Sequence, residues 1–144
     1  MTQVDFYVMT GGSVDDSLRV ACRLAEKASQ RGSVYVHTSN EAQTHALNEK
    51  LWSFREDAFV PHGIHSENNE HPASEKVLIG HTLPPEDFHD LMINLSLEVP
   101  RFHGRFARLL EVVPGEHEAR EACRKSYAYY RDRGYPLNKH DINP

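Results

Sequence analysis

Cysteine is scarce in this chain of 144 residues: only Cys22 and Cys123 occur. Each falls on an apolar helix face, so they read as reduced packing residues rather than a disulfide or a metal pair. Long apolar runs are missing as well. No stretch approaches the ~18 residues of a membrane span, and the N-terminus, MTQVDFYVM, has neither a cationic leader nor a cleavage site. A cytoplasmic location with no membrane partner is expected. Positive charge is in deficit: 16 Lys and Arg against 21 Asp and Glu leave a formal charge of −5. That balance argues against a protein that grips DNA over a broad basic surface, though it leaves room for a local patch. The eight glycines never fall into G-x-G-x-x-G or G-x-x-x-x-G-K-[ST], so the usual phosphate cradles are excluded. There is no G-x-S-x-G and no H-E-x-x-H, and no internal repeat or low-complexity tract.

What is present reads as one α/β domain over residues 1–144. VDFYVM (4–9) is a β-prone run followed by the Gly11-Gly12-Ser13 turn. Ser13 is placed to cap a helix over 14–31, with Asp15 and Asp16 at its positive end and Leu18, Ala21, Cys22, Ala25 and Ala28 inward. SVYVH (33–37) is a second strand. Ser39 then caps a helix through about Trp52, with Ala42, Ala46, Leu47 and Leu51 inward. Strand–helix–strand–helix order predicts a parallel sheet with right-handed crossovers. Residues 64–76, rich in Ser, Asn, Glu, His and Pro, predict a long mobile loop. Strands are expected at 77–80, 90–97 and 108–113, with one short helix between the last two. The sum is a three-layer domain on a mostly parallel sheet of about five strands.

The last helix, 115–134, is the most informative element. Pro114 and Gly115 break the preceding run; Gly134 and Pro136 stop it. At about 100° per residue, Ala119, Cys123, Ser126 and Tyr130 form the inward face. Arg120, Arg124, Tyr127 and Arg131 form a stripe beside it, where a helix overlooks the groove it makes with its neighbour. Guanidinium groups and a tyrosine along a groove can hold a peptide bearing carboxylates and an aromatic anchor. As a bare pattern, such a stripe is more often a solvated edge.

Other features carry less. The Gly11-Gly12 turn stands where a nucleotide-binding fold would place phosphate, but Asp15 and Asp16 would repel one there. Ten histidines raise a metal site: His62 and His65 have H-x-x-H spacing, and His71, His81 and His89 follow. Yet they lie in loops of no fixed register, with no H-E-x-x-H and no cysteine cluster, and scattered surface histidine is preferred. A small nucleotide- or metal-dependent enzyme built on these features is the rival reading. The segment 51–63 puts Trp52, Phe59, Val60 and Pro61 into irregular chain, suited either to packing under the sheet edge or to docking a protein.

Two segments together, LWSFREDAFVPHG (51–63) and RKSYAYYRDRGYPLN (124–138), resemble the chi subunit of bacterial DNA polymerase III. The start, DFYVM followed by a turn and a helix, is also similar, and so are the order of elements and the length. The resemblance implies a Rossmann-like fold without a nucleotide site, no cofactor and no catalytic residue. It implies two protein partners, with DNA reached only through them. Trp52, Phe59, Val60 and Pro61 would face the psi subunit of the clamp loader. Arg120, Arg124, Tyr127 and Arg131 would bind the acidic C-terminal tail of single-stranded DNA-binding protein, which ends in a Pro-Phe-like anchor and a free carboxylate. One position departs from the pattern: Ala128 stands where relatives often carry a lysine, which implies a smaller basic patch and weaker binding.

Overall fold

A computed structural model describes residues 1–57, 59–66, 72 and 75–143. Among the described residues seven strands form one sheet: β1 (Gln3–Met9), β2 (Val34–His37), β3 (His62–Ile64), β4 (Val77–Gly80), β5 (Leu91–Asn94), β6 (Arg108–Val113) and β7 (Leu137–Ile142). Their spatial order is β3-β4-β2-β5-β6-β1-β7, and every neighbouring pair runs parallel. Three helices among the described residues complete the fold, α1 (Val14–Ser29), α2 (Glu41–Ser53) and α3 (His117–Asp132), with one 3-10 turn at His103–Arg105.

The interior strands β4, β2 and β5 are buried on both faces, which is why VLIG, VYV and LMIN read as continuous apolar runs. One apolar cluster joins α1 and α2, through Leu18, Ala21 and Leu47, to Val36, Ile79 and Leu110 of the sheet. A second, on the other face, joins Ala119 and Tyr130 of α3 to Phe6, Leu109 and Val113. The layers are therefore α1 and α2, sheet, then α3.

The strand count is seven where five were expected. Both extra strands are edges. β3 is three residues long with glycine at its centre, and β7, LNKHDI, is mostly polar. Short or charged edge strands resist unwanted pairing and by the same token lack the apolar alternation that marks a strand. Of the loop expected at 64–76, Ile64 belongs to β3, while residues 67–71, 73 and 74 lie outside the described residues.

Helix ends follow local chemistry. Ser13 caps α1 in a full capping box: Asp16 N–H donates to Ser13 Oγ at 3.3 Å, and Ser13 N–H donates to Asp16 Oδ2 at 2.9 Å. α2 begins one residue later than expected. Asn40 is its cap, accepting from Gln43 N–H at 2.9 Å, while Ser39 N–H donates to the Gln43 side chain at 2.8 Å. Its inward face is Thr44, Leu47 and Leu51 rather than Ala42 and Ala46, which are exposed. Thr44 can face inward because its hydroxyl shares a 2.6 Å hydrogen bond with that of Thr38. α3 ends in a Schellman motif: Gly134 N–H donates to Arg131 O at 3.0 Å and Tyr135 N–H to Tyr130 O at 3.1 Å, with Gly134 at φ +78°.

Candidate peptide groove and aromatic patch

α3 connects β6 to β7 and crosses β1 on the way, so its inner face meets β1 while one flank overhangs β7. Along that flank runs a groove of about 640 Å³, within the ~300–1,000 Å³ range of ligand clefts. All four residues of the expected stripe, Arg120, Arg124, Tyr127 and Arg131, line it. Its floor is apolar: Phe6 and Val8 of β1 with Cys123 of α3, while Met9, whose side chain packs on the α1–α2 face, contributes its backbone carbonyl. The Tyr127 ring stands 5.4 Å from that of Phe6, centroid to centroid, and is 37% exposed, so it offers one face to an incoming side chain.

The arginines keep weak local partners. Arg124 pairs with Glu121, and Arg131 with Asp132 at 3.2 Å; these side chains are largely exposed. Arg120 reaches the carbonyl oxygens of Met9 and Thr10, both at 3.4 Å. Exposed pairs of this kind hold by about 0–1 kcal/mol each, so an anion can compete for the guanidinium groups. From Arg120 to Arg131 the helix rises ~16 Å at ~1.5 Å per residue, room for about five residues of extended peptide at ~3.3 Å each. Two groups on the far wall went unnoticed in the sequence: Lys139 and Asp141 of β7 also line the groove. Only the recognition of β7 as a strand beside β1 would have brought them here.

The aromatic segment lies at the other end of the sheet. Trp52, near the end of α2, is 57% exposed, and Phe59, two residues before Pro61, is 72% exposed. Their ring centroids are 6.1 Å apart, and Trp52 also stands 4.6 Å from the ring of His62. Pro61 is exposed beside them. Val60 departs from the expectation. At 3% exposure it is packed into the core with Leu47 and Leu51, so it anchors the segment and presents no side chain to a partner. The patch and the groove sit at opposite edges of the sheet, β3 and β7. Six strand spacings separate those edges, ~29 Å at ~4.8 Å each.

The Gly11-Gly12 turn has a different use from the one its position suggests. β1 and β6 are neighbours whose following helices pack on opposite faces, the arrangement that opens a ligand crevice beyond strand carboxyl ends. Here the chain fills it. A Cβ on Gly115 would stand 2.6 Å from Gly11 Cα, so two backbones meet where a phosphate would go. At the start of α1 the Asp16 carboxylate accepts from Ser13 N–H and Ser13 Oγ accepts from Asp16 N–H, so two donors an anion would use are already taken.

The histidines do not converge either. His62 Nδ1 donates to Val60 O at 2.6 Å and His65 Nε2 lies 2.9 Å from Leu83 O, while His81 and His89 are exposed and His71 lies outside the described residues. Among the described residues no three His, Cys, Asp or Glu side chains are grouped as metal ligands. Burial raises both thiols, Cys22 up to about 12, which disfavours thiolate chemistry. Among the described residues no helix is long and apolar enough to cross a membrane.

One titratable group lies under α3. Glu111 of β6 is buried and hydrogen-bonded to Asn94 Nδ2. Burial pushes its carboxyl up to about 8, with the Asn94 bond pulling weakly the other way.

These features define the class: a Rossmann-like α/β domain whose phosphate crevice is closed by its own backbone. The fold is shared with a yeast protein, the C-terminal domain of S. cerevisiae Dbp5 L327V, solved bound to Gle1 H337R and IP6. The TM-score is 0.66 at 13% identity, over 98% of this chain and 90% of that one. The sequence comparisons are narrower. The family model described as DNA polymerase III chi subunit, HolC, matches residues 1–138. DNA polymerase III subunit chi of Pseudomonas aeruginosa is 46% identical over 99% of this chain and 98% of its own. The Haemophilus influenzae protein of that name is 28% identical, over 95% of each chain. That of Escherichia coli is 25% identical, over 96% of this chain and 97% of its own. The chain belongs to the DNA polymerase III chi subunit family, whose members are accessory and not catalytic subunits of the holoenzyme.

Proposed function

We propose that this protein is a cytoplasmic adaptor that links the DNA polymerase III clamp loader to coated single-stranded DNA. Its α3–β7 groove takes the acidic C-terminal tail of single-stranded DNA-binding protein, and its Trp52, Phe59 and Pro61 patch pairs with psi. The observation that carries the reading is the groove itself: arginines along one wall and an apolar floor beneath Tyr127, in a chain of net charge −5. An extended peptide fits it with its carboxylates on the guanidinium groups and a terminal ring on the Phe6–Tyr127 floor. Each exposed charge contact contributes ~0.5–1 kcal/mol and a buried ring ~2 kcal/mol. Those contacts total ~4–5 kcal/mol before the cost of ordering a disordered tail, whereas micromolar affinity needs ~8 kcal/mol, so further contacts along the groove must supply the difference. Weak single sites suffice when a partner presents several tails at once. Placing the psi contact on the opposite sheet edge lets both partners bind together.

Arg124→Ala and Arg120→Glu are expected to weaken a tail peptide at least several-fold in titration calorimetry with unchanged circular dichroism. Equal affinity would rule the groove out. Trp52→Ala with Phe59→Ala is expected to abolish co-purification with psi and leave tail binding intact; retained psi would move that contact elsewhere.

A further inference from the structure

Resting on that reading, we propose that Lys139 and Asp141 of β7 form the second wall of the peptide groove and set its preference for acidic sequence. Lys139 binds a carboxylate of the incoming segment, and Asp141, its resident counter-ion, must give it up.

The placement follows from strand register. Phe6 pairs with Lys139 and Val8 with Asp141 across parallel β1 and β7, so the four side chains share one face. It is the face under α3, because the Phe6 ring contacts Tyr127 and Tyr130. Lys139 thus stands across the Phe6 floor from Tyr127, and Ala128, which lines the same groove, contributes only a methyl group between them. A further cation, beside the three arginines of α3, is supplied from the strand across from the position where the helix carries Ala128.

The charges differ in what they must release. Arg124 and Arg131 are paired with Glu121 and Asp132 of their own helix, neither of which lines the groove. Lys139 Nζ lies 3.6 Å from Asp141 Oδ1, and both lie in the groove at 60% and 64% side-chain exposure. A carboxylate entering there meets Asp141 directly. Its like charge opposes entry, and only a ligand able to replace it on Lys139 gains the contact. A neutral segment ending in the same ring gains nothing from this wall. The groove consequently reads two features, an aromatic end and a carboxylate near it.

The test is calorimetric titration of the full chain with two synthetic peptides ending in Pro-Phe, one with Asp residues before the Pro and one with Asn at those positions. Lys139→Ala should weaken the Asp peptide about threefold and Lys139→Glu about tenfold or more, with little effect on the Asn peptide. Asp141→Asn should tighten the Asp peptide about two- to threefold. Ala128→Lys should restore affinity to Lys139→Ala. Lys139 is an exposed edge position, so unchanged melting temperatures are expected throughout. If the native chain binds the Asp peptide, Arg124→Ala weakens it and the Lys139 variants match the native protein, the second wall is refuted and the groove stands. Weaker binding by Asp141→Asn would also refute it. No binding by the native chain would overturn both.

Discussion

Replacing Glu111 by Gln removes a titration that otherwise makes stability depend on pH near neutrality. The carboxyl is buried beneath α3 against Asn94, and burial pushes it up to about 8 in the folded protein from the usual 4.5 of a glutamate in water. Between those values the folded chain holds a proton that the unfolded chain has released. The native state therefore binds more protons, and stability must fall as pH rises through this window. It is fully present below about 4.5 and spent above about 8. The slope approaches ~1.4 kcal/mol per pH unit per proton, an upper bound of ~5 kcal/mol over the window. Gln keeps the shape and the acceptor for Asn94 and carries no proton to lose. Urea denaturation of both proteins from pH 5 to 8.5 measures the difference directly, since every other titrating group is common to the two. The native chain should lose several kcal/mol relative to Glu111→Gln across that range. Parallel profiles would show that Glu111 is ionised and solvated in the folded state, refuting its assignment as a buried neutral acid.

Two further predictions concern the same region. The Tyr130 hydroxyl is buried without a hydrogen-bond partner among the described residues, so Tyr130→Phe should be neutral or stabilising by up to ~1 kcal/mol; a loss of stability in thermal melting would reveal a bond to that oxygen. Gly115→Ala drives a methyl group into the Gly11 backbone and should cost ~1–3 kcal/mol, read as a lower urea midpoint. An unchanged midpoint would mean that the two turns are not in contact.

Much of this architecture is legible in the sequence because it is written in local chemistry. Ser13 spells the cap of α1, Gly134 a left-handed helix stop, and RLLEVV a strand whose limits coincide with β6. The arginine stripe was legible because helical phase alone places Arg120, Arg124 and Arg131 on a flank rather than at the back of α3. What stayed hidden depends on long-range pairing. β7 is polar because it is an edge, so nothing in LNKHDI announces a strand. Without β7, Lys139 and Asp141 have no address beside Phe6 and Val8. Val60 reads as one more apolar residue in an exposed segment, and only the packing of α2 against β3 and β4 turns it inward. Ala42 and Ala46 misled because alanine suits both faces of a helix, while the buried Thr44 depends on a hydroxyl partner six residues away in the chain.

The proposed adaptor function requires the α3–β7 groove to recognise charge and ring together, and one titration separates that from simple attraction to an acidic chain. An acidic peptide ending in Pro-Phe and the same peptide lacking the final Phe are titrated into the native protein at two salt concentrations. Micromolar binding at one site is expected for the first, at least tenfold weaker binding for the second, and weakening of both as salt rises. Equal affinity for the two peptides, or no binding of either, would contradict it.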